Sequence, residues 1–278
     1  MSVPVKRWRR PLAALGFTFA ALILFPGVAS IASEALSADT PVLAVFPVRA
    51  SSSGTDFSRA SGTAPSTRLQ PQRAAATSIF TPEKGKFRIH VNGQQAGKEE
   101  FEIGPGGDNW IVHGTTDLQS PEGQTRVTGT LELRPDGTPL RYEWATTGTK
   151  KAGATILFNG STASVELRLE GMRPFTQQFT FNSPRVAILD NNLYDQYAVL
   201  ARLYDWNQKG AQTFSVFVPQ EMTPGTITVE SLGKQEVAGS KLEELRVKTE
   251  DLEIDLYLDG QRLVRLVSPS ANAEIIRE

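Results

Sequence analysis

Along most of its length after Lys86 the chain alternates between apolar and polar residues. Phe87, Ile89 and Val91 stand between Lys86, Arg88 and His90, and Phe101 and Ile103 between Glu100 and Glu102. Val127, Leu131 and Leu133 oppose Arg126, Thr128 and Glu132, and Leu140, Tyr142 and Trp144 oppose Arg141 and Glu143. The pattern continues through Val165–Leu169, Phe175–Phe181, Phe214–Val218, Ile227 and Val229, Leu245 and Val247, Leu252–Leu258 and Leu263–Val267. A period of two puts each apolar set on one face of a strand, which suits an antiparallel sheet covered on one side. Asn92-Gly93, Asp136-Gly137, Asn159-Gly160 and Asp259-Gly260 fall between such runs. Asn or Asp before Gly accepts the positive φ of tight hairpin turns, so the strands are expected to follow one another as a meander.

One segment breaks the alternation. Leu189, Leu193, Tyr197, Leu200 and Tyr204 recur at spacings of three and four. This predicts a helix over about 190–207, with Asp190 or Asn192 to cap it and Lys209-Gly210 to end it. Ala198, Val199, Leu203 and Trp206 occupy its other faces, so it needs cover on more than one side. The expected fold is mainly β: a large bent antiparallel meander sheet, a half-barrel or open barrel, wrapped around one apolar α-helix. A closed barrel or sandwich plugged by the helix is the alternative.

The region before residue 82 has a different character. Lys6, Arg7, Arg9 and Arg10 precede an apolar run from Leu12 to Phe25, then Pro26-Gly27 and the small residues Val28-Ala29-Ser30 and Ile31-Ala32-Ser33. This is the layout of a signal peptide over 1–33, with an uncleaved membrane anchor as its rival. Residues 34–81 are rich in Ser, Ala, Thr and Pro, have few aromatics, and read as a disordered tether. Pro41–Val48 is their one apolar patch, either a sticky piece of tether or an added edge strand. Residues 82–278 are long enough for a single β-rich domain. Net charge is +5 over residues 1–81 and −6 over 82–278. A mildly acidic domain without basic clusters argues against a nucleic-acid partner.

Candidate chemistry is sparse. There is no cysteine, hence no disulfide framework and no lipid-attachment site. The two histidines, His90 and His113, fall on strands, with no nucleophile elbow elsewhere to serve them. No metal or cofactor is expected: two His and no Cys make a poor ligand set, and Gly104-Pro105-Gly106-Gly107-Asp108 reads as a hairpin loop. Glu99-Glu100, Glu243-Glu244 and Glu250-Asp251 are adjacent in or beside strands. Neighbouring strand residues point to opposite faces, so each pair is expected to split and lie in solvent.

Taken together, the export signal, the meander, the helix near Leu193–Tyr204 and the hairpin around Asp259-Gly260 carry a family resemblance. The chain resembles bacterial exported envelope proteins of unknown function, similar to the half-barrel of the periplasmic lipoprotein carriers. Leu256-Tyr257-Leu258-Asp259-Gly260 through Arg265-Leu266 to Ser268-Pro269 is the most family-like stretch. The resemblance implies a concave apolar face for a lipid-like ligand and carries over no catalytic residue. Trp110, Tyr142, Trp144, Phe179, Phe181, Tyr197 and Tyr204 fall on apolar faces, where they are either core or the lining of that pocket. The expected function is a non-enzymatic exported binding protein of the periplasm or envelope, touching the membrane only through an uncleaved N-terminus. A structural or interaction protein pairing through an exposed strand edge is the alternative, and a cryptic hydrolase the third.

Overall fold

The structure, a computed structural model, describes residues 78–121, 123–148, 151–208, 210–249 and 252–278. The predicted signal or anchor, the tether up to residue 77 with its Pro41–Val48 patch, Lys209 and the Glu250-Asp251 pair lie outside those residues.

The described residues form one open sheet of fifteen strands and one α-helix. Strands β1 (Glu83–Val91), β2 (Gln94–Gly106), β3 (Asn109–Ser120), β4 (Gly123–Leu133), β5 (Pro139–Gly148), β6 (Ala152–Asn159), β7 (Thr162–Leu169) and β8 (Phe175–Thr180) each pair antiparallel with the next. The chain then crosses through β9 (Val186–Ile188) and α1 (Asp195–Leu203) to β10 (Gln212–Val218), which runs parallel to β9. It returns through β11 (Thr223–Val237), β12 (Ser240–Lys248), β13 (Glu253–Asp259), β14 (Arg262–Ser268) and β15 (Ala273–Arg277), and β15 pairs with β1. Two meanders therefore join at mid-sheet; residues 181–185 carry the chain from one outer edge, β8, to the other, β9, and the helix lies in the connection from β9 to β10.

The turns follow their residues. Asn92 and Gly93 both take positive φ, 51° and 74°, in a two-residue hairpin. Ala238 and Gly239 do the same at 49° and 81°, although no Asn-Gly or Asp-Gly marks that turn. Strands β3, β6, β9 and β15 are additions to those marked by alternation, β3 being placed on a strand only through His113. The last two are short, three and five residues, and β9 is buried throughout, which blurs a period of two.

Registers align the inward residues into rows across the first limb. One row runs Glu99, Thr116, Val127, Thr146, Ala152, Leu169 and the next Phe101, Gly114, Gly129, Trp144, Ala154, Leu167, Phe175. The helix lies against this face with all nine of its residues buried. At the far end the two limbs meet through side chains: Phe179 and Phe181 approach Phe217 of β10, with ring centroids 4.9 and 5.7 Å apart. No backbone pairing joins β8 to β9, so the curled sheet stays open. The expected bent, open meander around one apolar helix is the fold observed.

Two local differences stand out. The helix is shorter than its periodic pattern, because Asn192 sits in the left-handed region at φ 62° and Tyr204 is extended. And Ile79 and Phe80, at the end of the predicted tether, already belong to the domain: Ile79 N–H bonds to Pro135 O, and Phe80 packs 5.5 Å from Trp110.

Candidate functional site

The seven aromatics proposed as ligand contacts do not surround one pocket. Tyr142, Trp144, Phe181, Tyr197 and Tyr204 are buried in the core, and Trp110 and Phe179 are half-buried at its border. Two of the three tyrosine hydroxyls face protein partners: Tyr142 donates to Asp190 Oδ2 at 2.8 Å and Tyr204 to the Gly210 carbonyl at 2.9 Å. Of the seven, Tyr197 lines a cavity among the described residues. That space, between the 190–194 segment and β13–β15, is about 30 Å³, room for a water molecule and far below a lipid site. The helix fills the concave face.

The polar groups that the fold does concentrate sit at the ends of the helix. Neither Asp190 nor Asn192 caps α1. Its first donors, Tyr194 N–H and Asp195 N–H, bond instead to Glu99 Oε2 and Oε1 of β2, at 2.9 and 3.0 Å. A carboxylate there meets both the free N–H groups and the positive end of the helix dipole. Glu99 is fully buried, which corrects its expected place in solvent. The adjacent pair does split as expected, since Glu100 is exposed and bonds to Lys86 at 2.7 Å. Glu244 departs from expectation likewise: it is buried beside Asp255 and Arg246.

Burial and the neighbouring Asp195 raise the Glu99 carboxyl well above its ordinary range. Asp195 is pushed up to about 6 by burial, with a hydrogen bond to Glu99 and the His113 imidazole pulling it back down. Both carboxyls are therefore biased toward their protonated forms. Asp190 is raised to about 7 by burial, against opposing hydrogen bonds from Gln220 N–H, Tyr142 and Asn191 N–H. Gln196 closes this network by donating to the Tyr142 hydroxyl at 3.1 Å and accepting from Asp190 N–H at 2.5 Å.

At the other end Arg202 of the helix and Arg277 of β15 both bind Glu83 of β1, all three side chains nearly buried. Carbonyls of Ala198 and Lys84 take further guanidinium donors, each at 2.7 Å. These groups fasten the helix to three strands. General acid–base work needs a carboxyl within reach of a substrate proton. Glu99, Asp195 and Tyr142 line neither cavity, and Asp190 borders only the water-sized one.

Two accessible features remain. A groove of about 820 Å³ lies at the rim of β2–β5, lined by Gln95, Gly97, Lys98, Asp117, Gln124 and Arg126 among others. It touches none of the seven aromatics and none of the buried acids. The other is strand β8, the outer edge of the first limb. Five of its six residues are exposed. Phe175, at the end of an inward row beyond the cover of the helix, is 52% exposed, and Met172 in the preceding turn 56%.

No protein-family model and no curated protein matches this chain. Among solved structures, the chain is similar to a beta-barrel-like protein of the domain of unknown function DUF1849 from Brucella abortus, with 11% identity, a TM-score of 0.49, and 71% of this chain and 94% of that one covered.

Proposed function

We propose that the chain is an exported, non-enzymatic interaction protein of the bacterial cell envelope, and that it engages its partner along the free edge of β8. The observation that carries this reading is the edge itself. Strand β8 pairs with β7 on one side and with no described strand on the other. Unpaired N–H and C=O groups along such an edge accept an added strand, and alternate side chains supply selectivity. The basic cluster, apolar run and small residues of positions 6–33 support export. The buried carboxyls are engaged in holding the helix, which supports a role without catalysis. A lipid-like ligand would use the same corner, where Phe175 leaves the inward face uncovered.

A photo-crosslinking residue at Thr176, with Lys241 on the other limb as control, tests this in the native envelope. An adduct from Thr176 alone, on a chain found outside the cytoplasm, is the expected result. No adduct, together with a lipid that co-purifies with the wild type and is lost in Phe175→Ser, would replace the interaction reading by the ligand one. A chain retained in the cytoplasm would refute export.

A further inference from the structure

We infer that the partner on this edge is a second copy of the chain, the two β8 strands lying antiparallel about a two-fold axis through Gln177. The inference rests on the proposed docking role of β8 and adds the identity of its occupant.

Edge strands are ordinarily protected by charge, proline or a bulge. Strand β8, Phe-Thr-Gln-Gln-Phe-Thr, has no charged residue and no proline. It follows β7 through six consecutive pairs without a register shift, from Leu167↔Phe175 to Thr162↔Thr180. Its residues are exposed on both faces, so a strand has room beside it.

The sequence of the strand is complementary to itself in one register. With the axis at Gln177, Gln177 faces its own symmetry mate, Thr176 faces Gln178, and Phe175 faces Phe179. Opposed residues share a face, so the Phe rings flank the paired Gln177 side chains on the concave side, and Thr176 meets Gln178 on the other. Moving the axis by half a residue sets Phe175 against Thr180 and Phe179 against Thr176, and joins the concave face of one copy to the convex face of the other. The first register also brings the exposed Phe175 of the second copy beside Phe179, which already packs 4.9 Å from Phe217. No like charges oppose one another.

Pairing of so short a strand buries less than the roughly 1,200 Å² of a standard interface, so a weak dimer is expected, with dissociation on the order of tens of micromolar. Sedimentation velocity of the exported chain up to about 500 µM spans that range. The wild type should pass from monomer to dimer with concentration. Gln177→Lys and Gln177→Glu, each placing like charges across the axis, should each weaken association at least about tenfold, and an equimolar mixture should restore it. Unchanged circular dichroism and thermal unfolding of both variants establish that the exposed substitutions leave the fold intact.

A wild type monomeric throughout, variants that dimerise as the wild type does, or a mixture that fails to recover association would each overturn the inference. The two proposals separate cleanly. A monomeric wild type that still gives a Thr176 adduct with a different protein removes the second copy and keeps the docking edge, whereas loss of both removes both.

Discussion

Gly114 is a glycine because the helix comes to rest on it. A Cβ at that position would lie 2.8 to 2.9 Å from the carboxyl atoms of Asp195. Asp195 cannot swing away freely, since it is buried and its N–H is held by the Glu99 carboxyl. Gly114→Ala should therefore cost about 1–3 kcal/mol by overpacking. Urea unfolding measures this, and a variant as stable as the wild type would contradict the packing described. Glu99 offers a second lesson. Its parity with Phe101 and Ile103 was visible in the alternation and placed it on the inward face. Its burial went unread because an acid on an apolar face has no evident partner until the helix N-terminus is brought to it.

The helix joins the limbs and is fastened by ionisable groups, so its docking depends on pH. Glu99, Asp195 and Asp190 have carboxyls raised by burial, the last two to about 6 and about 7. A carboxyl with a higher pKa in the fold than in the unfolded chain favours folding while protonated. As pH rises past about 4 the unfolded chain releases its protons first, and stability falls until the folded-state groups ionise. The groups facing these acids are Tyr142 of β5, Tyr194, Gln196 and Gln220, while His113 of β3 lies on the exposed face of the sheet. Exposed Glu100, Asp117 and Glu143 are held low by Lys86, Arg126 and Arg141 and act in the opposite sense, at more acidic pH. Urea unfolding should thus show stability declining between about pH 4 and pH 7, by several kcal/mol at most. Asp190→Asn should flatten the upper part of that decline. Stability that rose across this window would show that the buried acids are not protonated as described.

The molecule as a whole closes through its last strand. Strand β15 pairs with β1 through five positions and with β14 through four. Its Arg277 shares Glu83 with the helix, 194 residues away from its partner in sequence. Removing Ala273–Glu278 would open two strand edges at mid-sheet and leave Arg202 with half its buried ion cluster. Such a chain should lose its cooperative thermal transition and aggregate, as seen by circular dichroism and size-exclusion chromatography. A truncated chain melting like the wild type would mean that the two limbs are stable apart. Pairing over such separations also predicts slow folding.

Strand positions, hairpin order and the one apolar helix were legible in the order of residues, because alternation, turn chemistry and helical spacing are local properties of the chain. So was the conclusion that the helix needs cover on several sides. Curvature and register decided the rest. They set the helix on Gly114 and Leu193 on Gly129, closed the concave face over Tyr142 and Trp144, buried Glu99 beneath the helix terminus, and left one edge of β8 free with Phe175 in solvent. A side chain's parity tells which face of a strand it shares, but what lies against that face depends on strands and a helix far away in sequence. Whether an aromatic is core or contact surface is therefore settled only when the sheet has curled.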